Sequence, residues 1–189
     1  MNKYGDESFI TFLRAGREDA DRDIKNGEIL AAGKILSFRE REIIKDLFWM
    51  WLPDEFGPLS KELARLKYPN ERRPDIIYSN TKTTVNITFS HKFDKLDEGQ
   101  EEEIRDYMAG IVMRLHPETL ITEKDVAEAE GHRLAWFDFT TPAIDTDIYN
   151  LMFFTSLNGR LLMGGFNCFD SDQEDWKELF IQMLGTARF

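Results

Sequence analysis

An asparagine–glycine pair, Asn158-Gly159, constrains the fold of this chain more than any other feature of its sequence. Mostly apolar runs flank it, at residues 148–155 and 160–169. A two-residue type I′ turn needs positive φ at both central positions, and Asn-Gly supplies this best. The sequence therefore predicts a β-hairpin here. Residues 151–154 are apolar at every position, which predicts a central strand that is covered on both faces.

A terminal amphipathic helix is predicted directly after this hairpin. Ser171 and Glu174 have the spacing of a capping box, in which each side chain accepts a hydrogen bond from the backbone N–H of the other residue. Apolar residues then recur at helical spacing, and they are Trp176, Phe180, Met183, Leu184 and Ala187. We expect this stripe to pack against the sheet.

Two segments in the first half of the chain have readable patterns. Residues 47–52 form a continuous apolar and aromatic run that ends at Pro53. The run favours a buried strand, although a helical stripe over residues 43–51 is an alternative. A short helix is predicted from Ser60 through Lys67, because Ser60 can cap it and Tyr68-Pro69 ends it.

A second hairpin is predicted from residues 75–79 and 85–90. In the second arm, apolar residues alternate with Asn86, Thr88 and Ser90. Alternation with period two is typical of a strand with one apolar face and one polar or wetted face.

A long helix and two more strands follow this hairpin. Asp97 and Gln100 have capping-box spacing at the start of the helix, and His116-Pro117 ends it. The two strands are predicted near residues 121–129 and 132–141, joined close to Gly131.

Runs of strands that are interrupted by single helices indicate the α+β class. We predict a mostly antiparallel β-sheet of about six strands packed with helices. Residues 1–40 are expected to be an N-terminal extension, and residues 41–189 a single α+β domain.

Composition excludes several functional classes. The formal net charge of the 189-residue chain is −11, and such a field repels phosphate backbones, so we expect no nucleic-acid binding. Cys168 is the single cysteine, so no internal disulfide can form. No apolar run approaches the roughly 20 residues of a membrane span. The N-terminal residues do not resemble a secretory leader, which predicts a cytoplasmic protein.

No catalytic or metal motif stands out. His91, His116 and His132 are scattered and lack metal-ligand spacing. Cys168 lies among Phe and Asp residues, which favours a small buried hydrophobe over a nucleophile. We therefore expect no cofactor and no enzymatic activity.

Two local features have structural interpretations. Asp138 lies between aromatic residues, where a carboxylate is costly unless it is paired, so a salt bridge to Arg133 or Arg160 is predicted. Gly164-Gly165 falls inside a predicted strand, which indicates a bulge or an aromatic ring packed over the glycines.

One basic concentration is the best candidate for an interaction patch in this acidic chain. It comprises Lys61, Arg65, Lys67, Arg72 and Arg73. The alternative is a solvated helix whose charges pair with Glu62 and Glu71, since exposed pairs are common and contribute little. Trp49, Trp51 and Trp136 are further candidate contacts, because aromatic residues and arginine contribute disproportionately to interfaces.

Three phrases of the sequence resemble the PsbP-like fold family. They are the aromatic strand that closes at residues 52–56, the pair Lys67-Tyr68-Pro69 and Arg72-Arg73-Pro74, and the terminal hairpin and helix at residues 149–184. The family includes the extrinsic PsbP subunit of photosystem II, the Mog-type Ran-binding import factor, bacterial DcrB-type proteins and the Eag chaperones. The resemblance implies a bacterial member with a three-layer or two-layer sandwich of sheet and helices and without enzymatic activity.

The members act mostly as binding or assembly modules with different partners, so the fold does not transfer a partner to this chain. We expect a non-enzymatic protein-binding or assembly module, chaperone-like in its action, with a protein partner. The alternative is a small-molecule or peptide carrier with an apolar pocket between sheet and helices. An enzyme that uses scattered carboxylates is less favoured, because no pair has the spacing of acid–base partners.

Overall fold

The computed structural model describes residues 23–25, 27–31, 33–70, 73–143 and 145–189. The ambiguous apolar run at residues 9–13 lies outside these ranges, as do Glu71 and Arg72. None of the helices in the described ranges is long and apolar enough to cross a bilayer.

Eleven strands and three α-helices are defined in the described ranges. The strands are β1 (Ile29–Ala31), β2 (Lys34–Leu36), β3 (Phe38–Ile44), β4 (Phe48–Pro53), β5 (Gly57–Pro58), β6 (Ile76–Ser79), β7 (Asn86–Lys95), β8 (Leu120–Ala129), β9 (His132–Thr141), β10 (Ile148–Leu157) and β11 (Arg160–Phe169). The helices are α1 (Lys61–Lys67), α2 (Glu101–Leu115) and α3 (Gln173–Leu184). A 3₁₀ turn, Asp170–Asp172, precedes α3.

Seven of these strands form one antiparallel sheet in the order β5-β6-β7-β11-β10-β9-β8. The β1–β2 and β3–β4 pairs form two separate hairpins. The predicted α+β class with a mostly antiparallel sheet is confirmed, with seven strands in the main sheet.

The Asn158-Gly159 hairpin forms as predicted. Asn158 has φ 50° and Gly159 has φ 72°, and Leu157 pairs directly with Arg160. The two positive φ angles are those of a type I′ turn, whose twist matches the twist of the flanking strands. The turn therefore sets the register of β10 and β11 along their full length.

Strand β10 lies inside the sheet and contributes side chains to a core on each face, as its apolar sequence predicted. Leu151 and Phe153 belong to the larger core cluster, on the face that α3 and the β3–β4 hairpin cover. Met152 and Phe154 belong with the smaller cluster on the opposite face, beneath α2. Alternation along one strand thus divides its side chains between two cores.

The starts of two helices differ from the predictions. The 3₁₀ turn moves the start of α3 beyond Ser171, whose Oγ donates to Asp172 Oδ1 at 3.4 Å, so the predicted Ser171–Glu174 capping box is wrong. At α2 only half of the box forms. Gln100 Oε1 accepts from the Asp97 N–H at 3.1 Å, while the Asp97 carboxylate pairs with Lys95.

The aromatic run is a strand and not a helix. Residues 48–53 form β4, which pairs with β3, and this excludes the helical alternative over residues 43–51. The predicted boundary at residue 40 falls inside β3. Ile29, Ala31 and Leu36 are buried in the larger core cluster.

Candidate functional site

The face of the sheet that carries α2 is only partly covered by that helix. α2 packs on β8, β9 and β10. Beside it, side chains of β7, β10 and β11 line a surface groove of about 220 Å³. The floor of the groove includes Met152, Met163 and Phe139, and Thr88 and Ser90 supply hydroxyl groups. The polar face that the alternation at residues 85–90 predicted thus lies in this groove.

A chain of hydrogen bonds crosses the sheet at one end of the groove. Ser79 Oγ donates to Asn86 Oδ1 at 2.9 Å, Asn86 Nδ2 donates to Asn167 Oδ1 at 2.8 Å, and Asn167 Nδ2 reaches the Tyr68 hydroxyl at 3.5 Å. Burial raises the pKa of Tyr68, against the hydrogen bond from Asn167. These partners hold the amide groups in fixed orientations. They also place the end of α1 at the edge of the same sheet face.

Helix α1 carries three of the five predicted basic residues, and its C-cap residue Tyr68 contacts Asn167 of the groove. The Ser60 Oγ accepts from the Leu63 N–H at 3.3 Å, so Ser60 caps the helix as predicted, and the Tyr68 N–H closes its last turn on Ala64. No residue of the helix is buried. A cleft of about 320 Å³ lies between α1 and residues 73–77. We call it the basic cleft, because Lys61, Arg65 and Arg73 line it.

Three of the five basic residues of the predicted patch line the basic cleft. Lys61 and Arg65 are exposed and Arg73 is half-buried. In the part of the chain that the structure describes, no ion pair joins these three side chains to a carboxylate, that of Glu62 included. Lys67 lies apart, since its ammonium donates to the Thr83 carbonyl. Arg72 and its alternative partner Glu71 lie outside the described residues.

The three candidate tryptophans are not part of this surface. Trp49 and Trp51 are half-buried on β4, on the opposite side of the sheet, and the Arg188 guanidinium lies 4.2 Å from the ring centroid of Trp49. Trp136 is only 2% exposed and belongs to the larger core cluster. Its proposed role as a partner contact is corrected, because a partner cannot reach a buried ring.

The predicted salt bridge of Asp138 forms with a different residue. Asp138 is fully buried, and Lys177 of α3 lies 2.6 Å from its Oδ2. The Tyr149 hydroxyl donates to it at 3.0 Å and the Glu123 N–H donates at 2.7 Å. Neither predicted arginine reaches it. Arg133 pairs with Glu102, and Arg160 lies over the ring of Phe93.

The buried Cys168 thiol and Tyr149 hydroxyl are held in their protonated, unreactive forms. Burial, reinforced by the negative charges of Asp172 and Asp170, raises the pKa of the Cys168 thiol to about 12. Burial and the adjacent Asp138 carboxylate raise the pKa of Tyr149 far above its ordinary value. A thiol or phenol that stays protonated at neutral pH is a poor nucleophile. The buried setting expected for Cys168 is therefore present.

The stability of the fold is expected to fall as the pH rises above about 9. The pKa of Cys168 is raised from 9.0, and that of Tyr149 from 10.0. Burial disfavours the charge on Lys177, but hydrogen bonds to Asp138 and Glu123 outweigh it and raise its pKa above 10.5. Each group keeps its proton longer in the folded state, so its contribution is complete below the unfolded pKa and is lost as the pH climbs toward the folded pKa.

The measurement is the urea midpoint between about pH 7 and pH 11. Lys67 acts in the opposite direction, because burial lowers its pKa from 10.5. A Cys168→Ala variant should lose the first part of the decline, near pH 9, and keep the part above pH 10. A midpoint that is flat through this range in the native chain would contradict the assignment.

The three histidines do not form a site. His91 Nε2 lies 3.2 Å from the Leu157 carbonyl oxygen, His116 pairs with Glu118 at 3.7 Å, and His132 lies 4.0 Å from Glu98. Among the residues that the structure describes, no group of three or more His, Cys, Asp or Glu side chains could hold a metal ion.

The sequence indicated the basic residues and the polar strand face, but not their common surface. Pro74 lines both the basic cleft and the groove, so the two depressions adjoin at this residue. Lys92 and Met163 of the groove were not identified from the sequence. The alternation in β7 was the available signal for Lys92, which continues the Asn86, Thr88 and Ser90 series.

Comparisons with known proteins identify the fold. No protein-family model matches the chain, and no curated protein matches its sequence. The structure is similar to cyanobacterial PsbP (CyanoP) from Synechocystis sp. PCC 6803, with a TM-score of 0.59 and 12% identity over 84% of this chain and 95% of that chain. It is also similar to LpqN, a protein involved in cell envelope biogenesis of Mycobacterium tuberculosis. That match has a TM-score of 0.52 and 10% identity over 80% of this chain and 90% of that chain.

Identities this low establish the fold alone. The chain has the PsbP-like fold, as its sequence phrases implied.

Proposed function

We propose that this PsbP-like chain is a non-enzymatic protein-binding or assembly module that holds a segment of a partner against the open part of its sheet. The observation that carries the proposal is the groove beside α2, where the sheet face is not covered by a helix. Its floor combines two methionines with hydroxyl groups from β7. Flexible thioethers adapt to different side chains, and methionine-rich surfaces suit the binding of protein segments.

The dimensions of the groove favour an extended segment over a compact ligand. Drug-sized ligands occupy pockets of about 300–1,000 Å³. The groove has a volume of about 220 Å³ and adjoins the basic cleft at Pro74. A segment of chain can use both depressions in succession, whereas the groove alone is smaller than the usual pocket of a drug-sized ligand.

A small-molecule or peptide carrier is the second candidate. It is favoured by Met152, Met163 and Phe139, which give the groove an apolar floor between sheet and helix. The same geometry would suit a small apolar compound, provided that it fits the limited volume.

The absence of enzymatic activity and of a cofactor remains part of this proposal. It is supported by the Asp138 carboxylate, which is fully buried and bonds to the Tyr149 hydroxyl and the Lys177 ammonium. A cytoplasmic location stays a prediction from the sequence.

A groove-specific substitution tests the proposal. Met163→Lys places a charge on the groove floor, and Met113→Lys is the matched control, because Met113 is 44% exposed on α2 and does not line the groove. Each variant and the native chain would be immobilised and exposed to an extract of the native host. We expect at least one protein to be retained by the native chain and the control but lost from Met163→Lys. Retention profiles that are identical for all three chains would refute a binding role for the groove.

A further inference from the structure

We propose that the basic cleft receives an acidic segment of the partner, with carboxylates at Lys61, Arg65 and Arg73 and an apolar side chain on the cleft floor. This inference rests on the proposed binding function and specifies the chemistry of the occupant. It follows from the charges, the floor and the position of the cleft.

The cleft carries an excess of positive charge, although the chain as a whole is negatively charged. The sequence has 35 acidic and 24 basic side chains, so a surface cation has an excess of possible partners. In the part of the chain that the structure describes, Lys61, Arg65 and Arg73 nevertheless have no ion pair. Three unneutralised cations around one cleft make a local positive potential that attracts carboxylates.

The remaining carboxylate in the cleft does not cancel this potential. Asp75 lines the cleft, but Lys92 lies 3.6 Å from its Oδ2. Lys92 itself lines the neighbouring groove. The Asp75–Lys92 pair is therefore close to neutral, and the three cations set the sign of the charge that the cleft presents.

The floor of the cleft is apolar. It is formed by Leu59, Ala64, Pro74 and Ile77. A floor of this kind with cations at the rim suits a segment that alternates apolar and acidic side chains, since an extended chain places successive side chains on opposite sides. A free phosphate ion would satisfy the cations but leave the apolar floor exposed to water.

The position of the cleft fits a continuous segment. Because Pro74 lines both depressions, a chain that lies in the cleft can continue into the groove without leaving the surface. Nucleic acid and anionic membranes also carry negative charge, but the net charge of −11 repels their extended fields. A short acidic peptide presents its charges only at the cleft.

A defined peptide tests the inference. The probe is a fluorescein-labelled peptide of roughly a dozen residues, about 40 Å long when extended. In it, glutamate alternates with leucine at the centre between glycine–serine ends. Binding is measured by fluorescence anisotropy with the full chain at about 50 mM and 300 mM NaCl. We expect saturable binding that weakens at the higher salt concentration, because exposed charges are then screened.

The decisive variant is Arg65→Glu/Arg73→Glu, and the charge-matched control is Lys45→Glu/Lys82→Glu. Lys45 and Lys82 are exposed and do not line either depression. We expect the first variant to weaken peptide binding by at least about tenfold and the control by less than about twofold. Equal weakening in both variants would mean that only the overall charge matters and would overturn the inference.

Three further probes distinguish an acidic segment from other possible occupants of the cleft. They are a peptide with lysine in place of glutamate, vesicles that contain phosphatidylserine, and inorganic phosphate as a competitor. The inference requires that the lysine peptide and the vesicles do not bind and that phosphate displaces the acidic peptide only weakly.

Undetectable binding of the acidic peptide at about 1 mM, a level where specific affinity is negligible, would also overturn the inference. If the Met163→Lys variant loses the extract partner while Arg65→Glu/Arg73→Glu retains it, the proposed function stands and the acidic occupant is excluded.

Discussion

Replacing Lys177 by methionine is expected to lower the free energy of unfolding by about 3 kcal/mol, because it leaves a buried carboxylate without its cation. Asp138 is fully buried, and the Lys177 ammonium lies 2.6 Å from its Oδ2 and 2.7 Å from Glu123 Oε2. Methionine preserves most of the aliphatic stem, so the loss reports the charge and not the packing. The Tyr149 hydroxyl and the Glu123 N–H still donate to Asp138 and keep the loss near the lower end of the range for buried pairs.

Urea denaturation measures this effect, and Lys124→Met is its control. Lys124 also pairs with a carboxylate, that of Asp106 at 3.2 Å, but both side chains are exposed. Exposed pairs contribute at most about 1 kcal/mol, so the control should be nearly native in stability. A double variant, Lys177→Met/Asp138→Asn, should regain part of the lost stability, because it contains no unpaired buried charge. Equal losses in Lys177→Met and Lys124→Met would show that the buried pair contributes no more than a surface pair.

The Asp138–Lys177 pair could be predicted from the sequence only in part. The environment of Asp138 predicted that it must be paired, since its neighbours in the strand are aromatic. The partner could not be predicted, because Lys177 lies on α3 and meets the strand only when that helix packs on the sheet. The side of a strand on which a distant helix packs is not encoded in local spacing.

Two signals that depend only on sequence neighbours predicted the structure correctly. Asn158-Gly159 and the Ser60 cap both concern residues within one turn, and both formed as predicted. The Ser171–Glu174 box failed although its spacing is correct. A 3₁₀ turn at Asp170–Asp172 delays the first α-helical residue, and its first residue bonds to Asp147 and Thr140, which are distant in the sequence.

The candidate site was predictable in part for the same reason. Lys61 and Arg65 are one helical turn apart, so their common face follows from the helix alone. Their proximity to Arg73 and the open groove depends on where α1 and α2 lie on the sheet. The tryptophans predicted contact residues less well, because the alternation of side chains along β9 places Trp136 in the core. An aromatic side chain in a strand is a candidate contact only on the face that no other layer covers.

Both depressions lie on the same face of the sheet, and this location is consistent with the proposed binding function. The opposite face carries the larger core cluster, with α3 and the β3–β4 hairpin. Stability therefore depends mainly on that side, and the α2 side can present an open surface at less cost to the fold. Substitutions on the two faces should separate in their effects, with stability lost on one and binding lost on the other.

Gly164 provides the sharpest test of this division, because it lies on the core face of β11. It pairs with Phe153 of β10 and Phe89 of β7, and the rings of these residues are 6.1 Å apart, centroid to centroid. The Phe153 ring can lie across β11 only because position 164 has no side chain. A Cβ there would collide with Cε1 and Cζ of Phe153 and would lie 2.6 Å from the Thr88 carbonyl oxygen.

Gly164→Ala is therefore expected to destabilise the fold by about 3 kcal/mol, the upper part of the range for overpacked cores. Gly165→Ala is the matched control, since its Cβ would lie 3.3 Å from Thr88 Oγ1 and 3.5 Å from the Leu151 carbonyl oxygen, so that a shift of a few tenths of an ångström relieves the contact. Its loss should stay below about 1 kcal/mol. Adding Phe153→Leu to Gly164→Ala should recover stability relative to the sum of the single losses, by at least about 1 kcal/mol in a double-mutant cycle. Urea midpoints that match for the two alanine variants would mean that the Phe153 ring moves freely and that this face is not the rigid one.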